Sequence, residues 1–588
     1  MNLPLPPSES SPPLLRRLLR HWPGAAAILS GVALAFSFAP WSVSALVWFW
    51  VAPLLAALWF SEPRSGRGWL RSRSVRGGWL GFLAGFVFYL LNLLWVTEIG
   101  AVAGTVWAGI GALVVMSGYL ARYVAVFGAF AATVGRWSPS LGEESAADPP
   151  GLFGQSLAVL RVAALNGAAW CGLEWLRGVV FTGFGWNGLG VALKEHLVLV
   201  QFAEVIGITS YGFVLMFVGT VLFCTILRVG REIRLRRKLR PHFDFTAAAA
   251  MVAGLYLFGT FAFLRNPEET IDLRARLFQF NIALDEKWSE DLEIRRKVIA
   301  GYRDLTRAFV EDSPHDLVVW PETAVPGIFS APWVQQYFND EILRGGDFYL
   351  LSGIEDANLE NTEIYNTLTI MKGETGSYQM HKKEHLVPFG EYIPLRGKFP
   401  PFEWLTGGII GQDFTPGNTF DPLVVEKGGS EVGIIPLICF EDTVPRHVRK
   451  FLRSGPQVIV NVTNDGWFHE SAQSRQHFDN ALFRCIEFRR PMIRCANTGV
   501  SGFIDERGSV YDRTGRESGE RILRDPESGS TFVRGSLATT LAVDLDPPMT
   551  VYARIGDAVP VAAGLIALVA WGWWFWQGRF RREEPSPA

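Results

Sequence analysis

Three short stretches of this sequence end in residues that could carry out acyl chemistry. The apolar run 433–438 leads directly to Cys439, and an acid, Glu441, follows two residues later. A continuous apolar run ahead of polar residues predicts a buried strand, and segment 443–452 predicts a helix that begins near Pro445. Cys439 is therefore expected on a strand-to-helix turn. There, main-chain N–H groups and a helix dipole would favour the thiolate, the nucleophilic form of the side chain.

A lone cysteine in an apolar run is more often a core residue than a nucleophile. Two other segments change that interpretation. One predicted strand, 316–320, is followed at once by Glu322, and a second segment holds Lys383 ahead of a Gly-Glu turn at Glu391. A carboxylate can act as a general base, an ammonium can stabilise an oxyanion, and a thiolate can attack a carbonyl carbon. The set is thus suited to acyl transfer.

In the order Glu, Lys, Cys, the three segments resemble the nitrilase superfamily. Their sequence motifs resemble those of one branch of it, the bacterial apolipoprotein N-acyltransferases. The motifs are WPETA around Glu322, KEHLVPFGEY from Lys383 and ICFED around Cys439. The resemblance covers about 273–546 and also the membrane part. It implies that Cys439 is the nucleophile, Glu322 the general base and Lys383 the oxyanion cation. The family pattern selects Lys383 over its neighbour because it stands two residues before His385.

The resemblance also suggests supporting residues. Glu391 and Glu441 would orient Lys383 and an incoming amine, although Glu441 could equally be a first-turn acid that satisfies the helix dipole. The main-chain N–H of Phe440 would be a second oxyanion donor. Segment 399–411 is apolar for a surface loop, so we hypothesise a flexible arm over a lipid entrance that includes Trp404. A loop packed on its own domain is the alternative.

Bulk properties exclude several classes of protein. The chain has 588 residues, 49% of them hydrophobic, and a mean hydropathy of +0.18, which is too long and too apolar for one soluble domain. The net charge of −2 gives no basic field for nucleic acid. The spacing of the five cysteines fits neither a zinc site nor a disulfide framework. We therefore expect no metal, no other cofactor and no nucleic-acid partner.

Long apolar segments predict a multi-pass membrane protein, since each approaches the roughly 20 residues that cross a bilayer. Eight spans are predicted, at about 24–40, 43–60, 78–96, 106–134, 157–181, 208–227, 245–264 and 558–576. If all eight cross, the Arg-rich terminal and loop segments fall on one side, so both termini are expected in the cytoplasm. The external region would then be periplasmic in a Gram-negative inner membrane. The predicted domains are a seven-span part, 1–264, an external domain, 265–555, and an eighth span with its tail, 556–588.

Segment 265–555 alternates strand and helix patterns, which predicts an α/β sandwich. The predicted strands are 275–282, 317–320, 348–353, 366–371, 432–439, 458–462, 492–496 and 541–543, and the predicted helices are 292–309 and 471–488. The resemblance adds the four-layer αββα arrangement of nitrilase-like domains. The predicted fold is therefore a polytopic α-helical membrane domain of eight spans with a nitrilase-like αββα sandwich.

Other polar residues are interpreted as scaffold. Glu174 and Arg177 share a helix face near the end of the fifth span, where an interfacial ion pair that positions the helix is favoured over a substrate role. His477 stands at a family-like spacing, but Asp479 replaces the glutamine that the family often has two residues later. We therefore assign no role to His477 or to the polar residues that follow it, Arg484, Glu487, Arg490, Arg494, Asn497 and Ser501.

The resemblance implies a monomeric transferase with lipid substrates. Its donor would be a glycerophospholipid, chiefly phosphatidylethanolamine, and its acceptor the α-amine of a diacylglyceryl-cysteine lipoprotein, with a thioester on Cys439 between two ping-pong steps. A membrane-tethered amidase or nitrilase that uses water is the alternative, because the same three residues serve both reactions. The predicted spans and apolar arm favour lipid. A transporter or receptor with a binding-only domain is disfavoured by the complete Glu-Lys-Cys set.

Overall fold

The structure is a computed structural model that forms two compact units. It describes residues 13–61, 72–102, 104–137, 152–236, 238–287, 289–310, 314–358, 360, 362–373, 376–398, 400, 411–512 and 519–580. The first unit comprises Met1–Leu94, Ala112–Thr260 and Asp557–Ala588, and the second comprises Trp95–Gly111 and Phe261–Gly556.

Apolar helices dominate the chain outside the α/β region. The α-helices there are Pro13–Phe36, Val51–Phe60, Arg73–Asn92, Ile99–Val102, Val106–Ala131, Leu152–Arg177, Leu197–Val200, Ala203–Ile206, Tyr211–Arg234, Phe243–Leu264 and Ala558–Phe580. Six helical segments of the described chain are long and apolar enough to cross a membrane: Arg73–Asn92, Val106–Ala131, Phe153–Arg177, Ile208–Arg234, Phe243–Leu264 and Ala558–Gln577. A helix satisfies its own peptide groups, which is what a bilayer interior requires.

The first two predicted spans are less regular than the other six. Within the first, the apolar part is His21–Phe36. The second consists of a 3₁₀ turn, Ser44–Trp48, followed by an α-helix of only 10 residues, Val51–Phe60. Ten helical residues rise about 15 Å, roughly half the thickness of a hydrocarbon core. Six candidate spans are therefore established by length and composition, and the total of eight stays a prediction.

Glu174 and Arg177 are both buried, and each binds main chain just beyond its own helix. The Glu174 carboxylate accepts the N–H of Leu189 at 2.8 Å. Arg177 donates to the carbonyl oxygens of Phe184 at 2.9 Å and Trp186 at 2.7 Å. The two side chains therefore hold the loop that follows their helix, and the predicted interfacial ion pair stays a prediction.

The α/β region of the second unit contains two mixed sheets. Its strands are β1 Thr270–Gln279, β2 Leu317–Val319, β3 Tyr349–Ala357, β4 Ile364–Lys372, β5 Tyr378–Lys382, β6 Leu423–Lys427, β7 Ser430–Ile438, β8 Gln457–Thr463, β9 Met492–Ala496, β10 Gly502–Ile504 and β11 Gly535–Asp544. One sheet has the order β11-β1-β2-β3-β4-β5 and the other β10-β9-β8-β7-β6. Parallel pairs lie at the centre, β1-β2-β3 and β7-β8-β9, and antiparallel pairs flank them.

The two sheets pack face to face. One apolar cluster joins Leu277 and Leu351 of the first sheet to Ile434 and Val460 of the second, all of them fully buried. On the opposite face of the first sheet, Val298 and other residues of helix Leu292–Val310 pack against the strands. Burial on both faces explains why the central strands are continuous apolar runs without alternation. The sandwich predicted from the sequence is confirmed.

The α-helices of this region are mostly short. They are Leu284–Lys287, Leu292–Val310, Pro332–Gln336, Pro445–Val448, Ala472–Ala481, Phe483–Phe488 and Val551–Ile555, with a π-helical segment at Tyr337–Leu343. The single helix predicted over 443–452 is wrong. A 3₁₀ turn at Cys439–Thr443 comes first, then Pro445–Val448, then a 3₁₀ turn at Arg449–Phe451. Pro445 has no N–H to donate, so the turn cannot continue through it into a longer helix.

Candidate active site

Three strand ends bring together the residues predicted to be catalytic. Glu322 lies three residues after β2, Lys383 directly follows β5, and Cys439 directly follows β7. Glu322 and Lys383 thus come from one sheet and Cys439 from the other. Lys383 Nζ lies 3.7 Å from Glu322, and Glu441, two residues after Cys439, accepts the N–H groups of Glu384 and His385, so the three strand ends border one site.

Lys383 is held between two carboxylates. Its Nζ is 2.7 Å from Glu391 Oε1 and 3.7 Å from Glu322 Oε1. The Nδ2 of Asn366, in β4, donates to Glu322 at 2.8 Å and to Glu391 at 3.1 Å. We call Glu322, Lys383, Glu391 and Asn366 the active-site cluster. Glu391 therefore orients Lys383 directly, and Asn366, which the sequence did not indicate, binds both acids.

Burial sets the protonation behaviour of this cluster. The pKa of Glu322 is raised, first by burial and then by the nearby charge of Glu391, while Lys383 opposes the rise. For Lys383, burial lowers the pKa, but Glu391 and Glu322 outweigh it and the pKa is raised. The ammonium is consequently a fixed positive charge. Glu322 has the raised pKa that suits a group which must both accept and return a proton.

Cys439 occupies a tight, half-buried turn. Its φ of 55° is left-handed, a strained conformation for a residue with a side chain. Asn461, in β8, donates from Nδ2 to the Cys439 carbonyl at 2.9 Å and holds that turn. Burial and then Glu322 raise the pKa of the thiol, and Lys383 only partly offsets them. The prediction that the thiolate is favoured at rest is wrong, because burial of the thiol outweighs the groups that favour its charged form. A base must therefore remove the proton.

Glu441 joins the nucleophile turn to the loop after β5. One carboxylate oxygen accepts the N–H groups of Glu384 at 3.0 Å and His385 at 2.9 Å, and the other accepts the N–H of Ile438 at 2.8 Å. Burial raises the pKa of Glu441, but His447, 3.2 Å away, outweighs it and the pKa is well below its usual range. Glu441 thus fixes the main chain on both sides of the site as a permanent anion.

Two predicted supporting residues remain, Phe440 and Trp404. The structure describes Phe440 but not Trp404. The ring of Phe440 is half-buried and stacks on His385, with centroids 6.0 Å apart and planes at 21°. Trp404 lies outside the described residues, as does almost all of the predicted arm 399–411. The arm hypothesis stays a prediction.

A second set of buried charges lies beyond the nucleophile turn. His477 is hydrogen-bonded through Nε2 to Asp442 at 2.9 Å and through Nδ1 to Asp465 at 2.8 Å. Arg494 is 3.5 Å from Asp442 and 3.4 Å from Asp465. We call these four residues the charge-balanced cluster. The sequence predicts no role for His477 or Arg494, but in the structure they share two acids, one of which is only three residues after Cys439.

Lys287 is a further residue that the sequence analysis missed. Its buried ammonium donates to the main-chain carbonyl of Glu322 at 2.8 Å. Burial lowers the pKa of Lys287 to about 8, although Glu322 and Glu355 act to raise it. A buried lysine in the short helix Leu284–Lys287 carries no pattern that would separate it from a surface charge.

Family profiles match both parts of the chain. The apolipoprotein N-acyltransferase N-terminal domain matches residues 30–221, and the carbon-nitrogen hydrolase domain matches residues 274–525, which contain all three predicted catalytic residues. The apolipoprotein N-acyltransferase of Geobacter metallireducens is 32% identical over 505 residues, which cover 83% of this chain and 86% of that protein. That of Brucella melitensis is 31% identical over 519 residues, covering 84% and 88%.

The chain belongs to the apolipoprotein N-acyltransferase family. A further relative, from Rhodopseudomonas palustris, is 27% identical and covers 92% of this chain and 93% of its own length. The family resemblance predicted from the three motifs is confirmed. As a member of the apolipoprotein N-acyltransferase family, the chain is a multi-pass membrane protein with a nitrilase-superfamily domain.

Two solved structures of the nitrilase superfamily also resemble the chain. Saccharomyces cerevisiae Nit3, from branch 10 of the superfamily, matches at 14% identity and a TM-score of 0.28, covering 49% of this chain and 94% of that one. A mutant amidase of Nesterenkonia AN1 matches at 13% identity and a TM-score of 0.29, covering 49% and 94%.

Proposed function

We propose that this chain transfers an acyl group from a membrane glycerophospholipid to the N-terminal amine of a diacylglyceryl-cysteine lipoprotein. The observation that carries the proposal is the meeting of Cys439, Lys383 and Glu322 at strand ends of two different sheets, within a chain that matches the family over most of its length. The apolar helices support lipid substrates, since both donor and acceptor are held in the bilayer.

In the first half-reaction, Glu322 takes the thiol proton of Cys439 and the thiolate attacks the ester carbonyl carbon of the donor. A carbon–sulfur bond forms, and Lys383 stabilises the negative oxygen of the tetrahedral intermediate. The ester carbon–oxygen bond then breaks, and Glu322 returns its proton to the leaving oxygen of the lysophospholipid. The acyl group is left as a thioester on Cys439.

In the second half-reaction, the lipoprotein amine attacks the thioester carbonyl carbon. Glu322 takes the proton lost by the attacking nitrogen, and Lys383 again faces the oxyanion. The carbon–sulfur bond breaks, its electron pair returns to sulfur, and the proton on Glu322 restores the thiol. The product is an amide, and the enzyme regains its starting state without an external reactant.

The positions of the basic segments support a location for this chemistry. With eight spans and the Arg-rich segments in the cytoplasm, the catalytic domain lies on the periplasmic face of an inner membrane, with both termini in the cytoplasm. We propose phosphatidylethanolamine as the main donor and a monomer as the working unit. No cofactor takes part in either half-reaction.

Mass spectrometry of the purified full chain after exposure to phospholipid tests the proposal. An acyl adduct is expected on the Cys439 peptide, and it should disappear when a diacylglyceryl lipopeptide is added and appear on the lipopeptide amine. Cys439→Ser should carry no adduct, whereas Cys485→Ser, at a buried cysteine of another element, should acylate normally. An adduct that survives in Cys439→Ser would disprove the nucleophile assignment. Release of free fatty acid unaffected by lipopeptide would favour a hydrolase.

A further inference from the structure

Strand β8 runs parallel to β7 and ends beside the nucleophile. The register pairs Leu437 with Asn461 and Ile438 with Val462, so Thr463 is opposite the position of Cys439. Side chains alternate along a strand, and Asn461 and Thr463 therefore point to the same side. Asn461 uses that side to hold the Cys439 carbonyl at 2.9 Å.

The Thr463 hydroxyl has no obvious structural task. Its side chain is fully buried, and among the described residues no hydrogen bond of good geometry involves Oγ1. Buried hydroxyl groups in folded proteins are nearly always hydrogen-bonded, so an unused one at an active site calls for a partner that forms during the reaction.

The register of β7 and β8 brings Cys439, whose sulfur is the proposed nucleophile, beside that hydroxyl. Burial raises the pKa of the thiol, and Thr463 is one of the two groups, with Lys383, that act against the rise. A hydroxyl donates well to an anion and poorly to a neutral thiol, because hydrogen bonds to charged acceptors are shorter and stronger. The contact between Thr463 and the neutral thiol is therefore poorly aligned, and it is expected to shorten once the sulfur is charged.

We propose that the Thr463 hydroxyl donates a hydrogen bond to the sulfur of Cys439 whenever that sulfur is negatively charged. This inference rests on the proposed function, in which the Cys439 sulfur is negatively charged twice in each catalytic cycle. The first occasion follows proton transfer from Cys439 to Glu322, before the sulfur attacks the donor ester. The second comes when the carbon–sulfur bond of the thioester breaks and its electron pair returns to sulfur. Thr463 would thus assist both formation and departure of the thiolate.

The pH dependence of Cys439 alkylation in the detergent-solubilised full chain tests the proposal. Iodoacetamide reacts with the thiolate, and peptide mass spectrometry separates Cys439 from the buried cysteines. Thr463→Val removes the hydroxyl and keeps the branched shape, whereas Thr463→Ser keeps the hydroxyl and removes the methyl group. The matched control is Thr369→Val, at a fully buried threonine of β4 whose hydroxyl is likewise without a partner among the described residues.

Thr463→Val is expected to raise the apparent pKa of Cys439 by about one unit or more, which slows alkylation about tenfold at a fixed pH below the pKa. Thr463→Ser and Thr369→Val should leave the pKa near that of the unmodified protein. Thr463→Ala should match the Val variant and replaces it if the Val variant does not fold. An unchanged pKa in Thr463→Val, or an equal shift in Thr463→Ser, overturns the proposal.

This measurement does not depend on acyl transfer. If the unmodified chain forms no acyl adduct but Thr463→Val still shifts the alkylation pKa, the proposed function fails and the hydrogen bond stands. If the adduct forms and Thr463→Val does not shift the pKa of Cys439, the proposed function stands and the hydrogen-bond proposal fails. The rate of adduct formation then adds a second readout, since the Val variant should acylate more slowly than the Ser variant.

Discussion

Two buried groups of charged side chains lie close to the nucleophile turn, and they differ in their charge balance. The charge-balanced cluster has two carboxylates, Asp442 and Asp465, and two cations, His477 and Arg494. The active-site cluster has two carboxylates and one ammonium, Lys383. Carboxylates and cations are thus equal in number in the charge-balanced cluster and unequal in the active-site cluster.

The two clusters also differ in whether a side chain can exchange its proton near neutral pH. Both nitrogens of His477 are bonded to carboxylates, and its pKa is raised to about 9, since the two acids outweigh burial and Arg494. That proton stays in place during turnover at neutral pH. In the active-site cluster burial raises the pKa of Glu322 and Glu391 adds to the rise, and the charge of Lys383 does not outweigh them. A balanced buried cluster fixes structure, whereas an unbalanced one leaves a group able to exchange a proton.

Removing the cation of the active-site cluster is expected to have the largest effect. Lys383→Met takes away the charge that faces the oxyanion, so the rate of Cys439 acylation should fall by about 10³-fold. The thermal stability should fall little, because Glu322, with its raised pKa, can take up a proton in place of the lost ammonium. Acyl-adduct formation and thermal unfolding of the same preparation measure both.

Lys382→Met is the matched control for that variant. The neighbouring ammonium lies 3.4 Å from the centroid of the Tyr365 ring and outside the active-site cluster. Its acylation rate should stay within about twofold of the unmodified protein, as expected for a surface cation–π contact worth little. Equal losses in the two variants would show that Lys383 acts only by supporting the fold.

The charge-balanced cluster should respond in the opposite way. His477→Gln removes a cation shared by two acids, and a pKa raised from 6.5 to about 9 corresponds to about 3 kcal/mol of stability. That contribution is complete below pH 6.5, where the unfolded histidine is also protonated, and is lost as pH rises through 9. The unmodified protein should therefore lose thermal stability between those values. The variant should be less stable at low pH and show a flatter profile.

Arg475→Gln provides the comparison for the pH profile. Arg475 is partly exposed and pairs with Asp479 at 2.8 Å on the same helix, a contact worth little. Its unfolding temperature should follow pH as the unmodified protein does. If His477→Gln kept the full alkaline loss of stability, His477 would not be the titrating group.

The contrast between the clusters also marks what the sequence could predict. Cys439 and Glu322 were found because each follows an apolar strand, whereas Lys383 was found through its resemblance to the family motif. Asp442 and Asp465 each follow a predicted strand as well, but nothing in the sequence shows that they share the partners His477 and Arg494. Their partner His477 was discounted because of Asp479, which in the structure binds Arg475 and is no part of the cluster.

The order of the strands within each sheet was harder to predict from the sequence than the strands themselves. The strand at 492–496 was predicted with the bounds it has, whereas β5 and β6, each five residues long, lack a continuous apolar run and were missed. Asn366 was not recognised as a neighbour of Glu322, since that contact depends on the strand order, in which only β3 separates β4 from β2. In the membrane part, hydropathy showed that segment 43–60 is apolar. It did not indicate that the segment is divided into a 3₁₀ turn and a short α-helix.

The smallest effects expected come from adding a methyl group beside each cluster. A Cβ on Gly353 would lie 2.5 Å from Glu322 Cα and 2.9 Å from Thr323 N, so main chain must move. On Gly499 it would lie 2.7 Å from Ser474 Cβ and 3.2 Å from Asp465 Oδ2, at a φ of 97° that disfavours any side chain.

Each alanine variant should cost about 1–3 kcal/mol of stability through overpacking or backbone strain. Only Gly353→Ala should also slow Cys439 acylation, by about tenfold to a hundredfold, because a displacement of the base by less than 1 Å misaligns proton transfer. Gly499→Ala displaces charges whose protons do not move, so its acylation rate per folded molecule should be near normal. Equal acylation losses in the two variants would mean that the charge-balanced cluster also sets the geometry of the reacting atoms, and that the two clusters act as one.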